Sequence, residues 1–348
     1  MFYSDRFLRA AQRLLTAALL GFIVTSTACA DTKPIRFLIP GSPGGGWDST
    51  ARAVGAALTS TGLATDITYE NLPGAGGGRA LLSLIRSPKR HKNTLMVQSV
   101  PIIIRAIRSD FQPGWRDTTP VAILINDYQA IAVPADSPYQ NIYALFAAIK
   151  SSPARVPIAG GSEYFSLDHI TLGLIAQAAE IPLNKIRYSP ADGGEQALNR
   201  MLQGQVKAVV SGVGELLPAA QEGKIRILGV TSDGQLQGVA APALNSIGLN
   251  VVFANWRGFF SGANAENSKV THYRTMLASL SETRVWENTR RVHKWEPMFL
   301  AGEQMTDFLL AQETMLRDIL QALETGEVKS EPSQLQVSSN RSNSTSIR

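Results

Sequence analysis

The chain has 348 residues, of which 44% are hydrophobic and 18% are charged, with 33 basic and 28 acidic side chains and one cysteine. This composition predicts globular domains, two by length, and excludes an intramolecular disulfide and a cysteine-based zinc site. The net charge of +5 is small and scattered, which argues against nucleic acid as a partner.

The first thirty residues have the three parts of a secretory signal peptide. Arg6, Arg9 and Arg13 precede the apolar run 14–24, and Ala28-Cys29-Ala30 offers a cleavage site. The run is too short for a bilayer span, which needs about 20 residues. A lipoprotein signal would place a large aliphatic residue three positions before Cys29, where Ser26 lies. We therefore interpret 1–30 as a signal peptide cleaved near Ala30, in preference to a lipid anchor at Cys29.

Short β-rich runs alternate with helical patterns along the mature chain. The predicted buried strands are 35–39, 66–69, 94–98, 121–125, 156–159, 207–210 and 225–230. Helical periodicity marks 49–58, 141–150, 167–179, 195–202 and a long C-terminal helix that Gly326 is expected to end. This alternation predicts βαβ units and an α/β class. Pro134 and Pro138 indicate a crossing between domains near 131–140, and the polar segment 327–348 is expected to be a disordered tail.

Two glycine-rich turns lead from a strand into a helix at similar places in the two α/β halves. They cover 40–48, Pro-Gly-Ser-Pro-Gly-Gly-Gly-Trp-Asp, and 159–169, Ala-Gly-Gly-Ser-Glu-Tyr-Phe-Ser-Leu-Asp-His. Successive glycines expose backbone N–H groups beside a helix N-terminus, which suits a carboxylate or phosphate. The alternative is a structural turn with Asp48 as the helix N-cap. The spacing matches neither the dinucleotide nor the P-loop fingerprint. Glycine turns at 71–78 and 211–215 would lie at the same sheet edges, where ligands bind.

Taken together, these segments resemble the substrate-binding receptors of tripartite tricarboxylate transporters, also called Bug-type extracytoplasmic solute receptors. The resemblance runs through residues 33–323 and is carried by Ile39-Pro40, Pro43 to Asp48, Ala51-Arg52, Asn71 to Gly77, Val133 to Tyr139, Gly160-Gly161-Ser162, Asp168-His169, Gly193-Gly194-Glu195, Gln203 to Val206, Val210-Ser211-Gly212, Gly223 to Arg226 and Asn255-Trp256-Arg257-Gly258. The segment with Trp47 is closest to the citrate-receptor branch.

The resemblance implies a periplasmic-binding-protein (Venus-flytrap) fold, with two α/β lobes and a ligand cleft between them. Lobe one would be 31–130 plus 251–326, and lobe two 131–250. It implies a periplasmic receptor, not an enzyme and without cofactor or metal, that captures a small organic carboxylate by hinge closure and delivers it to transporter membrane subunits. The implied ligand contacts are Gly44, Gly45, Gly46, Trp47, Asp48 and Ser99 in lobe one and Gly161, Ser162, Ser166, Asp168, Ser211 and Glu215 in lobe two.

One segment departs from the family pattern, because Glu163-Tyr164-Phe165 follow Gly161-Ser162 where small residues and glycines are common. The two rings occupy volume near the cleft, and Glu163 would repel a highly charged carboxylate. We therefore add Tyr164 to the ligand contacts. The predicted ligand is a smaller or aromatic-bearing carboxylate, stacked on Tyr164 or Phe165, rather than citrate.

Two other functions remain open at this level. A sensing adaptor would use the same ligand site. A secreted serine hydrolase would pair His169 with Ser162 or Ser166, but the chain has no G-x-S-x-G elbow, and adjacent Asp168 and His169 on a helix point about 100° apart. The basic segment 87–93 is interpreted as a solvated loop, and Trp256-Arg257 as hinge packing or a ligand wall.

Overall fold

The computed structural model describes residues 34–108 and 113–326, so the predicted signal peptide and the predicted tail lie outside the described residues. The strands are β1 Ile35–Ile39, β2 Ile67–Asn71, β3 Thr94–Ser99, β4 Thr118–Asn126, β5 Gln129–Pro134, β6 Ile158–Gly160, β7 Tyr188–Pro190, β8 Ala208–Gly212, β9 Ile225–Val230, β10 Arg257–Gly262 and β11 Glu296–Ala301. The helices are α1 Gly46–Ser60, α2 Gly78–Arg86, α3 Pro101–Ile107, α4 Ile142–Ser151, α5 Leu167–Ala178, α6 Gly194–Leu202, α7 Val213–Gln221, α8 Asn267–Ser281, α9 Arg284–His293 and α10 Gly302–Thr325.

Two mixed sheets organise these elements. The first has the strand order β11-β4-β10-β3-β1-β2, in which β1 runs parallel to β2 and β3 while β10 is antiparallel to β3 and β4. The second has the order β7-β6-β8-β5-β9, in which β6 runs parallel to β7 and β8 while β5 is antiparallel to β8 and β9. The predicted α/β class and two-lobed fold are confirmed.

Both faces of each sheet are covered, as the continuous apolar strands predict. In β5, Ile131 packs into one apolar cluster, while its neighbour Ala132 packs into another on the opposite face. Phe37 and Leu38 of β1 are divided between two clusters in the same way. The helices supply the other side of each cluster because their apolar residues recur at helical spacing.

The chain crosses between the sheets at two adjacent segments. It leaves the first sheet after Asn126, enters the second at Gln129 and returns before Arg257. The two segments lie side by side, since the Asn255 N–H donates to the Asp127 carbonyl oxygen at 2.9 Å. The crossing predicted near 131–140 is therefore wrong, because Pro134 ends strand β5 of the second sheet. The long predicted C-terminal helix ends at Gly326, whose φ of 73° gives the left-handed conformation that favours glycine.

No helix among the described residues is long and apolar enough to cross a membrane.

Candidate functional site

The first glycine turn places an exposed helix N-terminus at the end of β1. Gly45 is the N-cap in extended conformation and α1 begins at Gly46, so Asp48 lies in the first turn and the prediction that it is the N-cap is wrong. The reason is that its side chain reaches backwards: Asp48 Oδ2 accepts the Gly44 N–H at 2.9 Å, and Arg52 Nε donates to the same carboxylate at 2.9 Å. Burial acts to raise the pKa of Asp48, but the hydrogen bonds from Arg52, Gly44 and Asn71 outweigh it and leave the pKa below its ordinary value.

Trp47 joins this turn to the end of β3. Its Nε1 donates to Ser99 Oγ at 3.0 Å. A Cβ on Gly41 would lie 3.1 Å from the indole, and one on Gly77 would lie 3.2 Å from it, so both glycine turns leave room for the ring. The Trp47 side chain therefore holds three segments of the first sheet together, and its polar atom is already bonded within the protein.

Gly46 lies against the guanidinium of Arg257. The sequence predicted Arg257 only as part of hinge packing or of a ligand wall. A Cβ on Gly46 would lie 2.6 Å from Arg257 Nη2. Arg257 is 7% exposed and its Nη2 donates to Asp127 Oδ2 at 2.9 Å. The first N–H groups of a helix have no acceptor within the helix. The start of α1 and Arg257 thus present donors to one place, which suits an anion.

The second glycine turn is held by Asp168, which lies in the first turn of α5. Its N–H donates to Ser162 Oγ at 3.0 Å, and its carboxyl interacts with the Gly161 N–H and the Ser162 hydroxyl. Burial, followed by the charges of Glu215 and Asp127, raises the pKa of Asp168 to about 8. Ser166 is the N-cap of α5, but its side chain makes no capping bond.

Ser211 and Glu215 form the next turn of the second sheet. The Ser211 hydroxyl donates to Glu215 Oε2. A Cβ on Gly194 would overlap both side chains, so the start of α6 also packs against this pair. Glu215 is exposed, whereas Ser211 is buried.

Of the two aromatic residues, Tyr164 packs within the second lobe, whereas Phe165 packs against an apolar cluster of the first. Tyr164 donates its hydroxyl to the Tyr188 carbonyl oxygen at 2.9 Å, while 51% of the residue stays exposed. Phe165 has a φ of 59°, and the Arg108 guanidinium lies 5.0 Å from its ring centre. The rings are thus placed at the edge of the turn, with Tyr164 the more accessible of the two.

The residues of the hydrolase alternative have other partners. His169 Nδ1 accepts the Phe165 N–H at 2.9 Å, and burial lowers the pKa of His169 to about 4, which keeps the imidazole neutral. The Ser162 hydroxyl is engaged with Asp168. These contacts give no support to a nucleophile–base pair.

The predicted site residues form one group in each lobe, and Asp127 lies between Arg257 and the second lobe. Gly44 to Asp48 and Ser99 group together in the first lobe, and Gly161, Ser162 and Asp168 in the second. A Cβ on Gly212 would lie 3.7 Å from both Asp127 Oδ1 and Glu215 Oε2, so Asp127 links the Arg257 side of the cleft to the second lobe. Sequence reasoning missed Asp127. It follows directly after β4, and a search of strand ends would have found it.

Comparison with known proteins identifies this architecture. The sequence profile of TctC, the tripartite tricarboxylate transporter family receptor, matches residues 51–324. The chain belongs to this family.

Individual relatives are distant in sequence. The UPF0065 protein in the tcbD-tcbE intergenic region of Pseudomonas sp. strain P51 is 24% identical over 229 residues, which are 64% of this chain and 66% of that protein. The aligned part thus spans just under two thirds of that relative. An R. palustris protein with adipate has a TM-score of 0.74 at 19% identity, with 85% of this chain and 98% of that one covered. MatC from Rhodopseudomonas palustris with bound malate has a TM-score of 0.67 at 19% identity, with 83% and 99% covered. Both structures share the fold of this TctC-family chain, and its place in the citrate-receptor branch stays a prediction.

Proposed function

We propose that this chain is an exported receptor that captures a small organic carboxylate between its lobes and delivers it to the membrane subunits of a tripartite tricarboxylate transporter. Family membership supports the role, and the adipate and malate in two structures of the same fold support the ligand class. The proposed lobes are 31–130 plus 251–326 and 131–250, with the first boundary moved to between Asn126 and Gln129 so that β5 lies wholly in lobe two. The proposed location is the periplasm, after removal of residues 1–30.

The position of Gly46 carries the proposal. Its N–H and that of Trp47 begin α1 beside the buried Arg257 guanidinium, and Gly46 itself is exposed. A ligand carboxylate would accept hydrogen bonds from these amides and from N–H groups at one edge of the guanidinium, which is a charge-assisted arrangement. Of the other predicted amides in this turn, those of Gly44 and Gly45 already donate to Asp48 and to the Ser42 carbonyl oxygen.

The second lobe would complete the site on closure. Gly161, Ser162, Ser166, Asp168, Ser211 and Glu215 are proposed to face the ligand from this side. A ligand that touches both lobes favours the closed arrangement over the open one by its differential contacts. Tyr164 supplies the exposed ring against which an aromatic or small apolar ligand body would pack, because the Phe165 ring is covered by Arg108.

Calorimetry on the exported protein tests this proposal. The full chain is expressed in a Gram-negative host and purified from the periplasm, where mass spectrometry is expected to show cleavage after Ala30. A panel of mono-, di- and tricarboxylates should contain a ligand with a Kd of about 1 μM, which corresponds to about 8 kcal/mol. Absence of binding by every organic acid would refute the receptor role. Citrate as the tightest ligand would refute only the predicted preference for smaller or aromatic acids.

A pair of glycine variants tests the location. Gly46→Ala places a Cβ against Arg257, so we expect at least tenfold weaker binding. Gly234→Ala is the matched control, because a Cβ there meets no atom within 4 Å, and its Kd should stay within twofold of wild type. Equal affinities for the two variants would place the ligand away from α1.

A further inference from the structure

Phe165 has a backbone conformation that a phenylalanine rarely adopts. Its φ of 59° lies in the left-handed region, which is strained for a residue with a large side chain. A strained residue persists only where surrounding contacts hold it in place, and such residues cluster at active sites, ligand clamps and switch regions. The contacts that hold Phe165 therefore bear on what this residue does.

His169 fixes the backbone of Phe165 from within the second lobe. Its Nδ1 accepts the Phe165 N–H at 2.9 Å, and the two rings lie edge to face with their centres 5.4 Å apart. His169 is buried in α5, and its own ring is packed on Tyr188 with ring centres 4.7 Å apart. Because the imidazole is held in place by α5 and Tyr188, it determines how the chain turns at Phe165.

The Phe165 side chain packs on the first lobe. It lies against the apolar cluster to which α3 contributes Ile102 and Ile103 and α10 contributes Leu309. The Arg108 guanidinium, directly after α3, lies 5.0 Å from the ring centre, which is within the range of a cation–π contact. The backbone of Phe165 thus belongs to one lobe, while its ring is seated on the other.

Glu163 makes a second link to α3. Burial lowers the pKa of the Arg105 guanidinium, while the charge of Glu163 raises it, so these two side chains attract each other between the lobes. Arg105 Nε also donates to the Gly76 carbonyl oxygen at 3.1 Å. The start of α5, the α3 helix and the glycine turn after β2 therefore meet on one side of the cleft.

These contacts lie away from the crossing between the sheets. In the second sheet, β8 stands between β5, which begins at the crossing, and β6, which leads into residues 163–165. Neighbouring strands are about 4.8 Å apart, so β6 lies about 10 Å from β5. Rotation of the lobes about the crossing would pull Phe165 away from α3, because displacement grows with distance from a hinge.

We infer that Phe165, positioned by His169, is a latch that holds the two lobes together on the α3 side of the cleft. The latch acts without a ligand, since all of its contacts are made between protein groups. The inference rests on the proposed function only in taking closure of the lobes as the step that captures the ligand. Its test needs no ligand, so it can fail while the receptor role stands.

The distance between the lobes tests the latch. Ser60→Cys at the end of α1 and Ser151→Cys at the end of α4 place spin labels at exposed positions of the two lobes, and the chain has no other cysteine once residues 1–30 are removed. Double electron–electron resonance is recorded on the exported protein without added ligand. In Phe165→Ala, the ratio of molecules at the main wild-type distance to molecules at other distances should fall at least fivefold.

Phe299→Ala is the matched control, because Phe299 is an exposed phenylalanine of the edge strand β11, and its distance distribution should match wild type. Arg108→Gln weakens the same contact from the first lobe and should change the distribution in the same direction as Phe165→Ala. It decides the question if Phe165→Ala does not fold. Wild-type distributions in the folded variants of Phe165 and Arg108 would overturn the latch.

Two substitutions of His169 test its positioning role. Asparagine can place an acceptor near the position of Nδ1, so His169→Asn should keep the ratio within twofold of wild type. His169→Leu removes the acceptor for the Phe165 N–H, so the ratio should fall at least threefold. A merely structural role of this buried side chain would lower stability in both variants without separating their distance distributions. Equal ratios in the two variants would show that His169 does not position the latch.

Discussion

Replacement of Asp168 by asparagine is expected to remove a pH dependence from the free energy of unfolding. Asp168 is 5% exposed, and burial, then the charges of Glu215 and Asp127, raise its pKa from 3.8 to about 8 against the opposing hydrogen bonds from Gly161 and Ser162. Asparagine is nearly isosteric and its Oδ1 still accepts the Gly161 N–H. The substitution therefore changes the titration and leaves the packing of the turn in place.

The sign follows from the raised pKa. Between about pH 4 and pH 8 the folded protein holds a proton on Asp168 that the unfolded chain has released, so this carboxyl makes stability fall as the pH rises through that window. Above about pH 8 both states are ionised and the effect is constant. One proton corresponds to about 1.4 kcal/mol per pH unit, so the difference between wild type and variant changes by at most about 6 kcal/mol across the window. Coupling to Asp127 and Glu215 spreads the change over a wider pH range.

Urea unfolding at four pH values between about 5 and 8 measures this difference. The stability of Asp168→Asn should gain on that of wild type as the pH rises. Glu215→Gln removes one of the charges that raise the Asp168 pKa. In this variant the fall of stability with pH should therefore end at a lower pH than in wild type. Parallel curves for wild type and Asp168→Asn would refute the reasoning, because they would mean that Asp168 is ionised in the folded protein throughout the range.

Two further predictions concern a packing contact and an ion pair away from the cleft. Gly55→Ala places a Cβ against the Tyr69 ring, 2.9 Å from Cζ, and should lower the free energy of unfolding by about 1–3 kcal/mol in urea unfolding. Adding Tyr69→Phe, which removes the overlapping hydroxyl, should recover at least half of that loss, and additive losses in the double variant would contradict the prediction. Burial raises the pKa of Glu313, but hydrogen bonds from Arg116 and Trp115 lower it more, so its stabilising effect is present at neutral pH and is lost as the pH falls below about 4.5. Glu313→Gln should therefore cost about 1–3 kcal/mol at pH 7 and less in acid, and an equal cost at both pH values would show that charge is unimportant there.

Local patterns were sufficient to predict most regular elements. The helices predicted at 141–150 and 167–179 lie at Ile142–Ser151 and Leu167–Ala178, because apolar spacing and first-turn residues act within one helix. Strand β5 was missed, since its residues were interpreted as the crossing between domains. The prolines there are compatible with a strand, because Pro134 is its last residue.

The turns of the site were predicted, but their internal bonds were not. A run of glycines indicates exposed amides, yet the Gly44 amide is taken by Asp48 and the Trp47 indole by Ser99. Whether an amide is available depends on which side chain folds back onto it. The bond between Asp48 and Gly44 forms within the turn, whereas the bond between Trp47 and Ser99 requires the first turn to lie beside the end of β3.

The sequence by itself determined the α/β class, the family and the glycine turns at the strand ends, because these follow from composition, periodicity and ordered motifs. Only the tertiary structure decided the electrostatics of the cleft. Arg257 and Asp127 are 130 residues apart in the chain and meet because the two crossing segments lie side by side. The charges that act on Asp168 likewise come from separate elements, so its raised pKa arises only when both sheets are in place.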